Sequence, residues 1–391
     1  MKSWDEFLES MRGYESILDQ TVAPVDEQLR ADLIRQFALN LSQGYFLLVA
    51  PDPRYPEFLP FENHIYSLQP NPDATYHLAV VDGRGTYRVT GERGSTRVAG
   101  FATGRNILGT GKGQGFDNYD VDKLTLDPDG RFDAIFSGSR PDGHDGDWLK
   151  LHPDADFILL RQFAYDWGNE REMRIAIERI DKPADFPLLR PRISPEELDR
   201  RMERLSAFVK DLSVLAMGAV RRPFEQGYVN TMHLHDFQDL GNGGDWPQSY
   251  FETCFDLSPD EALVIETELP ETHHYWNVQV IDGLWHQVDV PYRQSSLNGH
   301  TAHVSEDGKV RMVLSSQDPG YLNWLDTGGN PFGLLIGRWY RCSSHPTPDA
   351  KKMKLGEVED YIGDRTARIS SAGRAAQLRE RLIGTQLRRK W

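Results

Sequence analysis

The chain has 391 residues, with 44 Lys+Arg against 59 Asp+Glu and a formal net charge of −15. This length is enough for more than one domain and an ample core. The negative balance repels phosphate backbones and argues against nucleic acid as a main partner. Apolar residues make up 39% and charged residues 26%, which fits a globular chain. Cys254 and Cys342 are the only cysteines, too few for a disulfide framework or a Cys-rich metal centre.

The start, MKSWDEFLESMRG, is charged and lacks an apolar h-region. No apolar run approaches the ~18 residues of a membrane span. The expectation is a cytoplasmic protein with no membrane partner.

In chain order, Ser3 and Glu6 stand at capping-box spacing and open a helix expected over 3–19. Asp26 caps a second helix, with Leu29, Leu33, Phe37 and Leu41 on one side and an end near Gly44. This helical segment is placed at 1–60 and carries no obvious reactive group. Prolines at 51, 53, 56 and 60 mark an extended linker over 51–62. A first β domain follows at 61–190, with strands at Tyr76–Val81, Gly85–Thr90, Arg97–Phe101, Lys123–Leu126, Phe132–Ser137, Phe157–Phe163 and Glu172–Ile180. Asp127-Pro-Asp-Gly130 is a hairpin signal. Within this domain Gly104–Gly115 is glycine-rich but is not followed by a helical pattern. It reads as a surface loop able to act as a lid, not as a phosphate cradle.

A connector helix is expected at 191–221: Ser194 caps it, Pro195 sits in the first turn, and Leu198, Met202, Leu205, Phe208, Leu212 and Leu215 form its stripe. The second β domain spans 222–365. Its Leu269–Arg341 stretch alternates with period two, so Tyr275, Asn277, Gln279 and Ile281 share one face and Trp276, Val278, Val280 and Asp282 the other. A basic helix at 366–391 (Arg374, Arg379, Arg381, Arg388, Arg389, Lys390) would cover the chain's own surface or a sister subunit in a homo-oligomer. The fold class is therefore mainly β (α+β): two antiparallel sandwich or jelly-roll domains with an N-terminal helical pair, a connecting helix and a C-terminal helix.

The segments Tyr275-Trp276-Asn277, Asn323-Trp324-Leu325 and Phe332–Tyr340 resemble the C-terminal signature of the DUF1214 family: an aromatic-Trp strand, an Asn-Trp-Leu turn and a last strand ending in Arg-x-Tyr. Asn71–Tyr76 followed by Thr86–Gly91 is similar to the N-terminal half of the longer, DUF1254/DUF1214-like members. The resemblance implies little about activity, because the family is named for lacking an assigned function. The chain departs from the pattern at Asp326, where the family's turn has Pro, which puts the geometry of that turn in question.

Four groups of residues bear on chemistry. His233 and His235 face the same way on a strand, as metal ligands or as structural or acid/base histidines, next to a loop at Asp239–Trp246 that could close over a site. His273 and His274 project to opposite faces, so at most one lines a pocket. Tyr292-Arg293, Asn323-Trp324 and Arg338–Arg341, with Trp276 and Trp285, combine guanidinium groups with indoles. They would bind an acidic ligand with an aromatic or sugar-like face, or simply pack the sandwich and pair with surface carboxylates. Asp73 and Tyr76 place a carboxylate near a phenol, able to exchange a proton or only to shape a turn.

The chain has no G-x-S-x-G elbow, no H-E-x-x-H, no dinucleotide fingerprint and no activated cysteine motif. No cofactor is expected. The leading expectation is a cofactor-independent enzyme of lyase or hydrolase type acting on a small aromatic compound by proton transfer. Its catalytic candidates are His235, His233, Asp73 and Tyr76; its substrate-binding candidates are Trp276, Trp285, Arg293, Asn323, Trp324 and Arg338. A non-catalytic carbohydrate or small-ligand binding sandwich is the first alternative. A metal-dependent jelly-roll enzyme using His233 and His235 is the second.

Overall fold

The computed structural model describes residues 2–61, 71–107, 110–183, 186–240 and 245–388. Parts of the Gly104–Gly115 and Asp239–Trp246 loops, the last linker position and the basic pair Arg389–Lys390 lie outside the described residues.

Helix α1 (Trp4–Glu9) carries the expected capping box: Ser3 Oγ accepts the Glu6 N–H and the Glu6 carboxylate accepts the Ser3 N–H. It ends earlier than the apolar pattern predicts. Gly13 adopts a left-handed φ of 77°, and the chain resumes as a 3-10 turn at Tyr14–Gln20. Helix α2 (Glu27–Gly44) is capped by Asp26. Gly44 lets it lie tight against the connector: a Cβ there would sit 2.4 Å from Leu205 and 2.9 Å from Phe208.

The first domain holds β1 (Leu59–Pro60), β2 (Ala74–Val80), β3 (Tyr87–Glu92), β4 (Val98–Arg105), β5 (Gln114–Asp120), β6 (Arg131–Ser137), β7 (Asp147–Lys150), β8 (Phe157–Phe163) and β9 (Arg174–Arg179). They form two facing sheets, β1-β2-β8-β4-β5 and β7-β6-β3-β9. Val89, Phe101, Phe132, Phe136, Ile158 and Leu160 fill the space between them. Lys123–Leu126, expected as a strand, is not one. The Asp120 carboxylate accepts the Asp122 N–H and sets a 3-10 turn at Val121–Lys123 instead.

Helix α3 (Pro195–Glu225) is capped by Ser194, as its sequence predicts, and runs a turn further than expected. The second domain holds β10 (His233–Asp236), β11 (Gln248–Asp256), β12 (Glu261–Glu268), β13 (His273–Asp282), β14 (Ser296–Asn298), β15 (Lys309–Ser315), β16 (Trp324–Asp326), β17 (Phe332–Cys342) and β18 (Asp349–Lys354). Its sheets are β10-β11-β17-β13-β14 and β16-β15-β12-β18. The chain closes with α4 (Val358–Ile362) and α5 (Ser371–Leu387). The result is an α+β protein with two sandwich-like units. Among the described residues no helix is long and apolar enough to cross a membrane.

The five-stranded sheet of the second domain has two different faces. Phe251, Phe255, Trp276, Val278, Val280, Leu335 and Trp339 point into that sandwich. Tyr250, Cys254, Tyr275, Ile281, Leu334, Ile336 and Tyr340 point the other way, against Val98 and Phe163 of the first domain and Ala216 and Val220 of α3. Strand alternation produces this division directly. Both cysteines are free, Cys254 within this second layer.

The centre of the sheet tolerates no added bulk. A Cβ on Gly337 would stand 1.8 Å from Cζ of Phe251, whose ring covers that glycine. We predict that Gly337→Ala lowers stability by about 3 kcal/mol or more, as overpacking of a closed core does. Chemical denaturation should show this as a lower midpoint, partly recovered by adding Phe251→Leu. An unchanged midpoint would mean the ring is not seated over Gly337.

Candidate functional site

The register of the five-stranded sheet lines up polar side chains across its interdomain face. His235 lies opposite Tyr250, Tyr250 opposite Arg338, Arg338 opposite Asn277, and Asn277 opposite Asn298. One step along, His233, Glu252, Ile336, Gln279 and Ser296 form a parallel row. Asn277, Gln279, Glu252, Asn298 and Arg338 are all buried. So dense a band of polar groups inside a protein has to be hydrogen-bonded or occupied.

The first domain reaches this band through Asn71 and Asp73, just before β2. Asp73 is 2% exposed. Its Oδ1 accepts from Trp167 Nε1 at 2.8 Å and from Asn298 Nδ2 at 2.7 Å, and its Oδ2 accepts from the Tyr275 hydroxyl at 2.8 Å. The Tyr275 oxygen in turn takes a bond from Asn71 Nδ2 at 3.0 Å. Asn71 Oδ1 accepts from Asn277 Nδ2 at 2.9 Å, and Asn277 Oδ1 lies 3.5 Å from Arg338 Nη1. A directed chain therefore runs Arg338, Asn277, Asn71, Tyr275, Asp73. Burial pushes the Asp73 carboxyl above its ordinary range, although Asn298, Tyr275 and Trp167 all favour its ionised form. Burial and the neighbouring Asp73 push the Tyr275 phenol well above 10.

Helix α5 clamps this region from the outside. Its basic residues turn inward at intervals of seven. Arg374 pairs with Asp318 and bonds Gln294. Arg381 donates to the Val290 and Ser296 carbonyls and to Ser296 Oγ. Arg388 pairs with buried Glu172 at 2.7 Å and donates to the carbonyls of Pro72 and Asp73. The expected basic tail thus covers the chain's own interior.

At the other end of the row, Glu252 bonds Arg222 of α3 at 2.8 Å and lies 3.7 Å from His235 Nδ1. Rings stack in sequence here: Tyr228 on His233, His233 near His235, His235 on Tyr250. Burial, then Arg222, pushes His235 down to about 4, while burial raises Glu252. His235 Nε2 is enclosed with no hydrogen-bond partner among the described residues. His233 and His235 do share a face. Among the described residues, however, no cluster of three or more His, Cys, Asp or Glu could hold a metal.

The remaining candidates are not gathered here. Trp276 lies on the opposite face, stacked near Trp339 in the sandwich core. Asn323 holds the backbone of His303 and Arg311, and Trp324 donates to the Ser315 carbonyl. Arg293 pairs with Asp326 at 2.8 Å. Asp326, standing where the family has Pro, also accepts the Gly328 N–H and so closes the turn with its own side chain. Trp285 is buried in the interdomain layer, with an unusual φ of 68° and an Nε1 that has no partner among the described residues. Tyr76 packs edge-on against Phe61, and the phenol that meets Asp73 is Tyr275. Tyr275, Asn277, Gln279, Asn298, Trp167, Arg381 and Arg388 were not among the candidates. The alternation around Tyr275 and the seven-residue arginine spacing are the sequence signals that could have found them.

His235 yields a pH prediction. Its folded pKa lies below its ordinary 6.5, so the unfolded chain binds the extra proton first. The stability this neutral imidazole contributes is intact above about 6.5 and is lost as pH falls toward 4. His235→Gln should flatten that part of the stability curve in denaturation measured at stepped pH; an unchanged acid slope would place the titration elsewhere.

Residues 255–344 match the family model described as "Protein of unknown function (DUF1214)". No curated protein matches the chain. Among solved structures, an uncharacterized protein from Burkholderia cenocepacia is 28% identical, with a TM-score of 0.81 over 90% of this chain and 97% of its own. That likeness extends through both sandwiches. The VPA0106 protein from Vibrio parahaemolyticus is 14% identical with a TM-score of 0.44, over 83% of this chain and 99% of its own. A salicylate 1,2-dioxygenase from Pseudaminobacter salicylatoxidans is 10% identical with a TM-score of 0.17, over 88% of this chain and 87% of its own. Neither of these last two likenesses is close enough to carry an argument. The segment that is similar to DUF1214, residues 255–344, supplies Tyr275, Asn277, Gln279, Asn298 and Arg338 to the interdomain face.

Proposed function

We propose that this protein is an enzyme that moves a proton on a small molecule held between its two sandwiches, without a cofactor. The observation that carries the reading is the buried bond from the Tyr275 hydroxyl to Asp73 Oδ2. In the reaction, the Tyr275 oxygen takes a proton from the substrate as its own hydrogen passes to Asp73. The net base is Asp73, whose burial strengthens it. No free phenolate forms, in keeping with the raised pKa of Tyr275. Negative charge left on the substrate is stabilised from the Asn277–Arg338 end of the chain. Such chemistry suits elimination or hydrolysis of a small aromatic or otherwise acidic compound, the lyase or hydrolase type expected above.

A second reading is a binding protein with no turnover. It draws support from the saturation of Asp73 Oδ1 by two fixed donors, Trp167 and Asn298, which also suits a purely structural carboxylate. In that case bound compounds would be released unchanged.

The test is a screen of small aromatic acids and their hydrated or esterified relatives for turnover, followed by Tyr275→Phe on any substrate found. We expect Tyr275→Phe to lower kcat by roughly a hundredfold or more. It should cost only about 1–3 kcal/mol of stability for the donor withdrawn from Asp73. A folded Tyr275→Phe protein with undiminished kcat would refute the mechanism.

The pH profile gives a separate prediction. With Asp73 as base, kcat falls on acidification, and the inflection lies above the ordinary Asp range near 4. A rate that stays flat down to that pH would remove Asp73 from the role.

A further inference from the structure

Gln279 is 1% exposed, and neither its Nε2 nor its Oε1 has a hydrogen-bond partner among the described residues. A buried primary amide with all its hydrogen bonds unmade is costly, and native proteins keep such groups where something else supplies the bonds. Gln279 lies in register with Ser296 on the adjacent strand. Ser296 Oγ accepts from Arg381 Nη2 at 2.7 Å. Arg381 also donates to the carbonyls of Val290 and Ser296. All these acceptors are neutral, and the guanidinium lies over the Trp167 indole at 4.8 Å. A guanidinium has five N–H groups in a planar fork. Three of them are bonded among the described residues, which leaves two, and the amide in register with Ser296 also has donors to give.

Resting on the reading of this interface as a small-molecule site, we infer that Arg381, Ser296 and Gln279 form a subsite for the carboxylate of a small organic acid. A planar carboxylate takes two parallel bonds from an arginine fork and further bonds from an amide N–H. Asp73 and Asp289 already act on Arg381 through space, and the ligand would add a carboxylate bonded directly to the fork. The same ligand would satisfy Gln279 Nε2. The Tyr275–Asp73 pair belongs to the same sheet face: Tyr275 lies on the Gln279 strand, and Asn298, which bonds Asp73, is two places along from Ser296. The acid group would be gripped at one end of this face and the reacting atoms presented at the other.

The test uses the full-length protein and the series acetate, succinate and benzoate, each against its uncharged amide, followed by melting temperature and titration calorimetry. At saturation at least one acid should raise Tm by about 2 °C or more while its amide does not. Gln279→Leu removes an amide that makes no bond, so it should melt no lower than wild type, yet bind the acid at least tenfold more weakly. Arg381→Lys, which keeps the charge but loses the fork, should also weaken binding. Tyr275→Phe should keep the acid-dependent shift, so loss of the subsite and failure of the proton relay register separately. The inference is overturned if no acid binds better than its amide, if Gln279→Leu binds as wild type does, or if Gln279→Leu melts well below wild type and so reveals bonds the amide was making.

Discussion

A carboxylate removed from water has to be hydrogen-bonded by protein, and in this molecule that requirement joins two domains. Asp73 belongs to the first sandwich, but two of its three side-chain donors, Tyr275 and Asn298, belong to the second. Separating the domains would strand the carboxylate against apolar surface or hydrate it at the expense of Phe163, Tyr275 and the rest of the shared layer. The third donor, Trp167, is held under the guanidinium groups of Arg381 and Arg388 on α5. The last helix therefore fastens both sides of the carboxylate. Its own ion pair, Arg388 with Glu172, is buried and would be strongly destabilising to break on one side.

The chemistry follows from a sheet that faces two ways. One face of the five-stranded sheet closes a conventional apolar core around Trp276 and Trp339. The other carries rows of Asn, Gln, Arg, Glu and His that a solvent-facing sheet would hydrate, and the first domain and α3 cover them instead. Covered polar rows raise the energetic stakes of every bond: satisfied bonds rigidify the interface, and atoms left unbonded among the described residues, such as those of Gln279, Trp285 and His235, are costly unless a ligand or water bonds them. Burial also moves Asp73 and His235 in opposite senses, the first toward holding a proton and the second away from it.

Much of this architecture was legible in the chain. Ser3, Asp26 and Ser194 announced their helices, and the alternation through Tyr275–Asp282 separated the two faces of β13 correctly. The helix at 3–19 failed at Gly13 because the conformation of a single glycine overrides an apolar stripe. The strand at Lys123–Leu126 failed because a side-chain cap competed with pairing. For the site, local reading was weakest where function depends on contact between distant segments. Asp73 was picked out, but its phenol was sought three residues away at Tyr76, whereas Tyr275 lies 202 positions along. Trp276 and Trp324 drew attention as rings, and rings of that size most often go to the core, as these do. The arginines of α5 were expected to cover the chain's own surface or a sister subunit, and their inward bonds to Gln294, Ser296 and Glu172 were not foreseen. Only their common spacing of seven hinted that one face was turned inward.

The most direct measurement is a double-mutant cycle on folding free energy between Asp73→Ala and Tyr275→Phe in the full chain, read by chemical denaturation. If the buried bond between them is the joint on which the interface depends, the two effects should be non-additive by about 1–3 kcal/mol. Additive effects, with a coupling indistinguishable from zero, would mean that Asp73 and Tyr275 do not act as a pair, and both the domain docking and the proton relay argued from it would fall.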